Sequence, residues 1–588
     1  MNKSKPISRF LPTSKKEMDA LGWEQADVIL FSGDAYVDHP SFGAAVIGRV
    51  LESAGYRVAI VPQPNWRDDL RDFKKLGEPR LFFAVTSGSM DSMVNHYTAN
   101  KRLRSDDAYT PGGKSGFRPD YAVNVYSNII KQLFPEIPLV LGGVEASLRR
   151  LTHYDFWKDE LLPSILLSSK ADLLVYGMGE RTILELAHLL NSGNSINGIS
   201  NLPQTAFYTK KENAYSDDNE GIVLNSFEEC LKSPRKFGQN FIHIEVESNK
   251  LESKRLIEPA EDGYIIVNQP LPPASTAEMD SIYDLPYMRS PHPRYRGKTI
   301  SAWEMIKFSI NIHRGCFGGC SFCTISTHQG KFISSRSQKS ILDEVKTVAK
   351  MPDFKGYLSD LGGPSANMYM MQGVDLKACE KCRKPSCIYP KVCPNLNTDH
   401  QPLINLYRKS RSVKGVKKAF IGSGIRYDLF ADWSNSTNRQ YFEEVVKHHV
   451  SGRLKVAPEH TEEEVLKHMR KPSFKLFVQL KEKFDSLNRI HALNQQLTPY
   501  FISSHPGCTI EHMQKLSDVV KAMGLRLEQV QDFTPTPMTL ASTIFYTGMD
   551  PYTGKKVFVE DSKDGKLKQR ELFFAKPYAP KKTIKRKR

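Results

Sequence analysis

The stretch HRGCFGGCSFCTISTHQG, from His313 to Gly330, places three cysteines and four glycines close together. Its cysteines follow the spacing Cys316-x3-Cys320-x2-Cys323, and Phe322 stands directly before the third. The whole chain has nine cysteines in 588 residues, so this clustering calls for a chemical explanation. Three thiols at this spacing cannot all form disulfides with one another, which favours a metal site.

A zinc ion and an iron–sulfur cluster place different demands on this stretch. A structural zinc takes four nitrogen or sulfur ligands, and His313 or His328 is available as the fourth. A cubane iron–sulfur cluster also normally takes four cysteines, so three cysteines would leave one iron open to a substrate. On spacing alone, both alternatives stay open.

The composition is that of a globular chain with more than one domain. Hydrophobic residues make up 40% and charged residues 25%, as in ordinary globular proteins, and single cores stop growing at ~250–300 residues. No apolar run approaches the ~20 residues that span a bilayer, and the N-terminal residues lack the apolar segment of a secretory signal. We therefore expect a cytoplasmic protein without a membrane partner, in which thiols stay reduced.

The formal net charge of +17 favours an acidic partner. Part of the excess lies in the basic tail Lys576–Arg588, which is predicted to be disordered. Such a tail either attracts phosphate backbones without sequence preference or only keeps the chain soluble. RNA or another acidic substrate therefore stays open as a partner.

The first part of the chain predicts an open α/β domain over residues 1–190. Apolar strands ending in Gly or Ser alternate with helical segments, which favours βαβ crossovers and a parallel, Rossmann-like sheet. The predicted strands are 26–33, 57–64, 80–88, 137–147 and 171–182. The loops after them should form one rim, where open α/β sheets bind ligands. The polar, helix-poor residues 191–307 predict a connecting region with short strands.

From residue 308 the α/β alternation returns and predicts a partial or full (β/α) barrel over 308–540. The candidate strands are 308–315, 356–363, 417–425, 452–460, 498–507 and 525–535. The three-cysteine stretch follows the first strand, where a barrel carries catalytic loops. Thr461 and Glu464 predict a capping box on the helix after the fourth strand. A Cys-rich insert covers 364–400, and 541–588 forms a C-terminal extension with the basic tail.

The three-cysteine stretch resembles the CxxxCxxC motif of the radical S-adenosylmethionine (SAM) superfamily, which carries an aromatic residue before its third cysteine. The resemblance implies that Cys316, Cys320 and Cys323 ligate three irons of a [4Fe–4S] cluster and that the fourth iron binds SAM. It also implies reductive cleavage of SAM to a 5′-deoxyadenosyl radical, with Phe322 shielding the cluster and the cofactor. A reductase or a flavodoxin-type electron donor would supply the electron.

The ends of the later strands extend this resemblance. YLSDLGGPSANMY (357–369) is similar to the motif that contacts the SAM amino group, which implies binding by Gly362 and Gly363. The usual third residue is an acid, and here Pro364 replaces it, so the contact would fall to the two backbone carbonyls or to Asp360. ISSHPGCT (502–509) stands where an adenine contact is expected.

The segment VAPEHTEEEVLKHMRKP resembles the fourth-strand segment of radical methylthiotransferases, and it implies Glu459 and Arg426 as contacts to the SAM ribose and carboxylate. Together with DAYVDHPSFG (34–43), IGSGIRYDL (421–429) and the segment 530–554, these motifs resemble the YgiQ-like radical SAM proteins over nearly the whole chain. The resemblance implies no particular substrate or reaction.

A second group of cysteines lies in ACEKCRKPSCIYPKVCPN, at Cys379, Cys382, Cys387 and Cys393. Four ligands allow either a closed zinc site or a second [4Fe–4S] cluster, and a metal would order a segment poor in apolar residues. Unliganded reduced cysteines are the third alternative. The two remaining cysteines, at 230 and 508, stand alone and are predicted to be structural.

The N-terminal unit resembles the cobalamin-binding half of many radical SAM enzymes through GGVEAS (142–147) and YGMGERT (176–182). The cobalt-ligating histidine of that class stands in Asp-x-His-x-x-Gly, whereas this chain reads DHPSFG from Asp38 to Gly43. Because the spacing differs, we do not expect cobalamin and expect a domain that shapes the substrate entrance. The competing hypothesis, based on the basic tail and the four-cysteine insert, is a zinc-stapled nucleic-acid-binding protein without radical chemistry.

Overall fold

In the computed structural model, which describes residues 9–210, 221–525 and 530–574, a nine-stranded mixed sheet forms the first half of the chain. The strands before residue 309 are β1 Val28–Ser32, β2 Val37–Asp38, β3 Val58–Pro62, β4 Phe82–Thr86, β5 Leu139–Leu141, β6 His153–Asp155, β7 Glu160–Leu162, β8 Leu173–Val175, β9 Thr205–Thr209, β10 Ile222–Val223, β11 Leu256–Ala260, β12 Gly263–Val267 and β13 Ser290–Pro291. The order in the sheet is β10-β11-β12-β9-β8-β5-β4-β1-β3.

The helices of this half cover the sheet or connect its strands. They are α1 Lys15–Ala20, α2 Gly43–Ser53, α3 Arg71–Lys74, α4 Ser92–His96, α5 Ala122–Leu133, α6 Gly143–Leu148, α7 Ile165–Ser169, α8 Glu180–Asn191, α9 Phe227–Lys232, α10 Pro234–Ser248, α11 Thr276–Tyr283 and α12 Ser301–Ile306. Strands β1 and β3 are buried along their whole length, as expected for parallel strands covered on both faces.

The parallel part of the sheet is the part that the sequence predicts. Strands β3, β1, β4, β5 and β8 pair in parallel, and the α/β class is confirmed. Residues 191–307 differ from the predicted connecting region, because β9, β12 and β11 continue the same sheet in antiparallel pairing and α10 is a helix of 15 residues. The turn between Ala260 and Gly263 joins two five-residue strands, and strands this short give a weak periodic signal.

The second half of the chain alternates short parallel strands with helices. Its strands are β14 Ser309–Asn311, β15 His313–Arg314, β16 Ser334–Ser335, β17 Tyr357–Leu358, β18 Asp360–Gly362, β19 Lys418–Ala419, β20 Arg453–Glu459, β21 Gln496–Ser503 and β22 Val530–Asp532. Its helices are α13 Ile325–Gln329, α14 Gln338–Ala349, α15 Leu376–Glu380, α16 Gln401–Arg411, α17 Ser436–His448, α18 Glu463–Met469, α19 Phe474–Ile490, α20 Ile510–Ala522, α21 Leu540–Thr547 and α22 Lys563–Phe574.

All six predicted strand segments of this half contain a strand. Parallel pairing joins β14 to β18, β17 to β19, β20 to β21 and β21 to β22. The cysteine stretch begins after β14 and β15, at the carboxyl end of the first strand, which is the end that carries the site in parallel βα folds.

One local prediction is wrong. Helix α18 begins at Glu463 and has no side-chain cap, so Thr461 and Glu464 form no capping box. The ring Nδ1 of His460 accepts the backbone N–H of Glu462 at 3.0 Å, and the Thr461 hydroxyl donates to the Glu462 carboxylate at 3.3 Å. The neighbouring histidine therefore takes an amide at the start of the helix.

The two halves meet at the cysteine stretch. Arg314, two residues before Cys316, forms a buried ion pair with Glu180 at the start of α8 and donates to the hydroxyl of Tyr283 at 3.1 Å. Further along the contact, Arg470 donates to the Glu245 carboxylate at 2.6 and 3.0 Å. The basic tail lies outside the described residues. Within them, every helix is too short or too polar to cross a bilayer.

The end of β1 provides a test of the fold. A Cβ on Gly33 would lie 2.2 Å from the carbonyl oxygen of Ser87, so Gly33→Ala forces two strand ends apart and should lower the melting temperature by about 2–6 °C. Gly43→Ala is the matched control, because a Cβ there meets no atom within 4 Å. Thermal unfolding followed by circular dichroism measures both, and equal melting temperatures for the two variants would contradict the packing.

Candidate metal centre

The cysteines at 316, 320 and 323 lie together in the loop between β15 and α13, and all three are free thiols. The pKa of Cys323 is raised to about 12. Burial is the largest cause, and the charges of Cys320 and Cys316 add to it. Burial also raises the pKa of Cys316, where the guanidinium of Arg426 opposes the effect and Cys320 adds to it. The loop therefore holds three thiols within each other's electrostatic influence, where the thiolate forms need positive charge beside them.

Two glycines allow other groups to approach this loop closely. A Cβ on Gly318 would lie 2.9 Å from Nη1 of Arg426. Gly319 has a φ of 62°, and a Cβ there would lie 2.5 Å from the carbonyl oxygen of Pro385. These positions need glycine because the guanidinium and the Cys-rich insert occupy the space of a side chain.

Arg426 lies directly beside the thiols. Its Nη1 donates to Sγ of Cys320 at 3.3 Å, while Nε and Nη2 donate to the carboxylate of Asp428 at 3.0 and 2.6 Å. Burial acts to raise the pKa of Asp428, but the guanidinium prevails and holds the pKa below its usual value. The backbone N–H of Arg426 donates to Asn367 at 2.7 Å, which fixes the residue in place. Arg426 is thus an N–H donor to sulfur.

Glu459, the other predicted SAM contact, is the last residue of β20 and lies at the carboxyl end of that strand. Its backbone has a φ of 67°, next to a register shift in the pairing of β20 with β21. Burial raises the pKa of its carboxyl, while Lys471 at 3.6 Å and Arg426 oppose the shift. The negative charge of Glu459 also contributes to the raised pKa of Cys323. The structure therefore brings Glu459, Arg426 and the three cysteines together.

The residues proposed to bind the SAM amino group are Asp360, Gly362 and Gly363, and each of them contacts other groups of the protein. The Asp360 carboxylate accepts from the Gly422 N–H and the Ser423 hydroxyl, both at 2.8 Å, so it joins the second strand end to the third. The Gly362 carbonyl accepts from the N–H of Ile312 at 2.9 Å. Both groups are thus engaged inside the protein. A Cβ on Gly363 would lie 2.5 Å from the buried ring of His313, and a SAM contact by Gly363 stays a prediction.

Phe322 points toward the barrel interior. Its ring meets the ring of His505 edge-on at 5.8 Å between centroids, and it packs against the large core of the second half. The His505 ring in turn lies 3.2 Å from the Ser321 hydroxyl. Phe322 therefore anchors the cysteine loop to the barrel, and its shielding of a cofactor remains a prediction.

The second group of cysteines packs directly on the first loop. The backbone N–H of Cys387 donates to the carbonyl of Phe317 at 3.0 Å. Burial raises the pKa of Cys387 to about 11, where Lys331 opposes the shift and the three other cysteines of the group add to it. The buried Lys331 amine lies 3.6 Å from Sγ of Cys382 and donates to the Lys384 carbonyl at 2.7 Å. Four thiols and a buried cation thus share one site next to the first.

The described residues contain no group of three Cys, His, Asp or Glu side chains arranged to hold a single metal ion. His328, a fourth zinc ligand in one alternative, lies beside Glu180, Arg150 and Arg314. His313 packs on Gly363. The three half-buried thiols, with their N–H donor Arg426, fit a thiolate-bound cluster of several irons.

His39 is the histidine of the DHPSFG segment, whose spacing differs from that of the cobalt-ligating motif. Nδ1 of His39 accepts from the Ser41 N–H at 3.1 Å, and Nε2 lies 2.9 Å from a guanidinium nitrogen of Arg289. Asp38 forms a buried ion pair with Arg49. Both ring nitrogens of His39 thus have partners inside the fold.

Comparison with known proteins places the chain in a family. A family model described as Radical SAM N-terminal matches residues 10–309, which end where β14 begins. A UPF0313 protein of Porphyromonas gingivalis is 58% identical, over 98% of this chain and 91% of its own. The chain belongs to the UPF0313 family. The UPF0313 protein YgiQ of Escherichia coli is 43% identical, over 94% of this chain and 82% of its own, which confirms the resemblance to YgiQ-like proteins.

Two solved structures align with the chain at low sequence identity. The radical SAM methyltransferase TsrM of Kitasatospora setae, with cobalamin and a [4Fe–4S] cluster bound, aligns with a TM-score of 0.48 and 15% identity, over 88% of this chain and 77% of that one. The cobalamin-dependent radical enzyme OxsB aligns with a TM-score of 0.45 and 11% identity, over 94% of this chain and 56% of that one.

Sequence reasoning missed two residues at the site. Asp428 stands two positions after Arg426, a spacing that could have suggested the ion pair. Lys331 gave no signal, because its position beside the second cysteine group depends on the folding of the insert over residues 364–400.

The Arg426–Asp428 pair makes a testable contribution to stability. Arg426→Met leaves a buried carboxylate without its cation and should lower the melting temperature, since losing one partner of such a pair costs about 3–5 kcal/mol. In the parent, Asp428 has a depressed pKa, so the contribution is complete above the unfolded value of about 3.9 and is lost only as the pH falls below it. In the variant, burial raises the pKa of Asp428, and protonation relieves the cost as the pH falls.

The deficit of Arg426→Met should therefore be larger at pH 7.5 than at pH 5.5. The double variant Arg426→Met/Asp428→Asn serves as the control and should recover part of the loss at pH 7.5. Thermal melts at the two pH values measure this, and a deficit that is the same at both would contradict the pairing.

Proposed function

We propose that this UPF0313 protein is a radical SAM enzyme whose cluster is held by Cys316, Cys320 and Cys323. The observation that carries the proposal is the group of three half-buried free thiols at the carboxyl end of the first barrel strand, with an N–H of Arg426 on Cys320. A bound [4Fe–4S] cluster with SAM supplies one-electron cleavage of the sulfonium C–S bond and hydrogen abstraction by the 5′-deoxyadenosyl radical.

Arg426 has the role of a donor to the cysteine sulfur. Its Nε and Nη2 donate to Asp428, so the guanidinium is oriented toward the loop. N–H donors to ligating sulfur stabilise negative charge on it and tune the reduction potential of a bound cluster. Two of its five N–H donors take no part in these three bonds, so the SAM contact that the resemblance implies for Arg426 stays part of the proposal.

Glu459 and its partner Lys471 form the polar side of the proposed cofactor site. The carboxyl is buried, lies near Cys323 and pairs with Lys471 at 3.6 Å. A carboxylate in this position can accept hydrogen bonds from ribose hydroxyls or from the SAM amino group. The N-terminal half covers the cysteine stretch through Arg314 and Glu180, which limits access of water to the loop.

The second cysteine group is proposed to hold another iron–sulfur cluster. Its loop contacts the first through Cys387 and Phe317, and Lys331 supplies a positive charge that offsets the charge of a thiolate-bound cluster. A cluster here would lie next to the first and could pass electrons to it from a reductase or a flavodoxin-type donor. RNA or another acidic substrate remains part of the proposal.

Production of 5′-deoxyadenosine tests the reaction. The full-length protein, reconstituted anaerobically with iron and sulfide, should form it from SAM and dithionite, as measured by mass spectrometry. Cys316→Ala removes one cluster ligand and should abolish the product. Cys230→Ala is the control, since Cys230 is buried against Asn240 in the N-terminal half and should leave the yield unchanged. Equal yields from Cys316→Ala and the parent would contradict the ligand assignment.

Metal analysis tests the second site. If it holds a [4Fe–4S] cluster, Cys382→Ala should lose about half of the iron and sulfide of the reconstituted protein, because two like clusters share the total. Cys508→Ala is the control and should retain both. Unchanged iron together with the loss of one zinc per chain would contradict the second cluster and would support the zinc-stapled alternative.

A further inference from the structure

A cavity of about 140 Å³ lies between the carboxyl edge of the N-terminal sheet and α13. Arg150 and Tyr176 line it from the sheet side, and the residues from Ser326 to Phe332 line it from the cysteine loop. The contact between the two sides is close, since a Cβ on Gly177 would lie 3.1 Å from the carbonyl oxygen of His328. The cavity is therefore part of the interface between the two halves.

The cavity adjoins both the cysteines and a larger space. Ser326 and Thr327 also line a small cleft with Cys320 and Cys323, so α13 borders both that cleft and the cavity. Gly177 and His328 also line a cavity of about 310 Å³ at the rim of the parallel strands. A molecule bound here would reach toward the cysteines from the N-terminal half.

Arg150 is the unusual group in this cavity. It is 3% exposed, its Nη1 donates to the Ser147 carbonyl at 2.6 Å, and its guanidinium lies 4.7 Å from the ring centroid of Tyr176. The Nε atom is buried and has no hydrogen-bond partner among the described residues. Burial lowers the pKa of Arg150, and the only opposing influence is Tyr176. A buried guanidinium without a carboxylate is costly unless a ligand completes it.

The acids that line the cavity already have other partners. Glu180 pairs with Arg314, and Glu247 pairs with Lys250 at 2.5 Å. Of the other cations that line the cavity, Arg181 pairs with Glu278 at 3.2 Å, and Lys331 donates to the Lys384 carbonyl at 2.7 Å and lies 3.6 Å from Sγ of Cys382. Near Arg150, His328 has its pKa lowered to about 4, first by burial and then by Arg150 and Arg314 against the opposing charge of Glu180, so its ring is neutral at neutral pH. Among the three arginines of the cavity wall, Arg150 is the one to which the described residues give no ion-pair partner.

We propose that this cavity binds the anionic group of the substrate, a carboxylate or a phosphate, and that Arg150 is the residue that binds it. The planar guanidinium fits either anion through two N–H donors. The proposal rests on the proposed radical SAM function, because it assigns the acid of the substrate to the cavity next to the cysteines. It also explains why the fold retains a buried cation without a protein counterion.

Ligand-linked thermal stability of the full-length chain tests the proposal. Melts are recorded in sodium phosphate, in sodium acetate and in sodium chloride at equal ionic strength, which keeps screening constant. A rise in melting temperature in phosphate or in acetate relative to chloride is expected, and the active anion identifies the substrate group. No rise with either anion would overturn the proposal.

Variants show whether the response belongs to Arg150. Arg150→Met should bind the active anion at least about tenfold more weakly, because a charge-assisted hydrogen-bond pair is lost. Arg181→Met, which changes a paired arginine of the same cavity, should retain the parent's response. An unchanged response in Arg150→Met would overturn the proposal. If that variant does not fold, Arg150→Lys decides, since loss of the planar fork should weaken the response and an undiminished one would overturn the proposal.

This experiment needs neither iron nor SAM. Its failure would leave the assay for 5′-deoxyadenosine unaffected, and a protein that binds anions through Arg150 but forms no 5′-deoxyadenosine would contradict the proposed function alone.

Discussion

Arg426 donates one N–H to the sulfur of Cys320 and two to the carboxylate of Asp428, and the environment of the cysteine loop depends on these bonds. Three half-buried thiols share one loop, and burial raises the pKa values of Cys316 and Cys323, so thiolate ligands would be unfavourable there without positive charge. The guanidinium provides that charge from one side. A bound cluster would provide it from the other, which links metal binding to the stability of the loop.

The same requirement recurs around the second cysteine group and in the cavity between the two halves. Lys331 brings a buried amine to four thiols, whereas Arg150 brings a buried guanidinium to a cavity. Lys331 also lines that cavity, but it lies beside thiols that become anionic partners once they ionise, whereas the two acids near Arg150, Glu180 and Glu247, pair with other cations. This difference separates a metal site from a site that an external anion completes.

Much of this fold can be predicted from sequence, for physical reasons that also explain the failures. The apolar runs of β1, β3 and β4 and the six strand segments of the second half are continuous and end in small residues, so their pattern is clear. Strands β9, β11 and β12 extend the sheet in antiparallel pairing, so the alternation of strands and helices that predicts the parallel part does not place them in the sheet. The capping box predicted at Thr461 does not form, because His460 takes a backbone amide at the start of the helix. Spacing singles out the cysteines, whereas the positions of Lys331 and Arg150 depend on contacts between distant segments.

Electron paramagnetic resonance of the anaerobically reduced protein tests the central claim, that the three-cysteine loop holds a cluster with one iron open to SAM. The Cys382→Ala variant is suitable, because it removes the second site and leaves one signal to interpret. The account predicts a reduced [4Fe–4S] signal whose g values change when SAM is added. A signal that SAM leaves unchanged, or the same signal in a variant that also lacks Cys316, would contradict it.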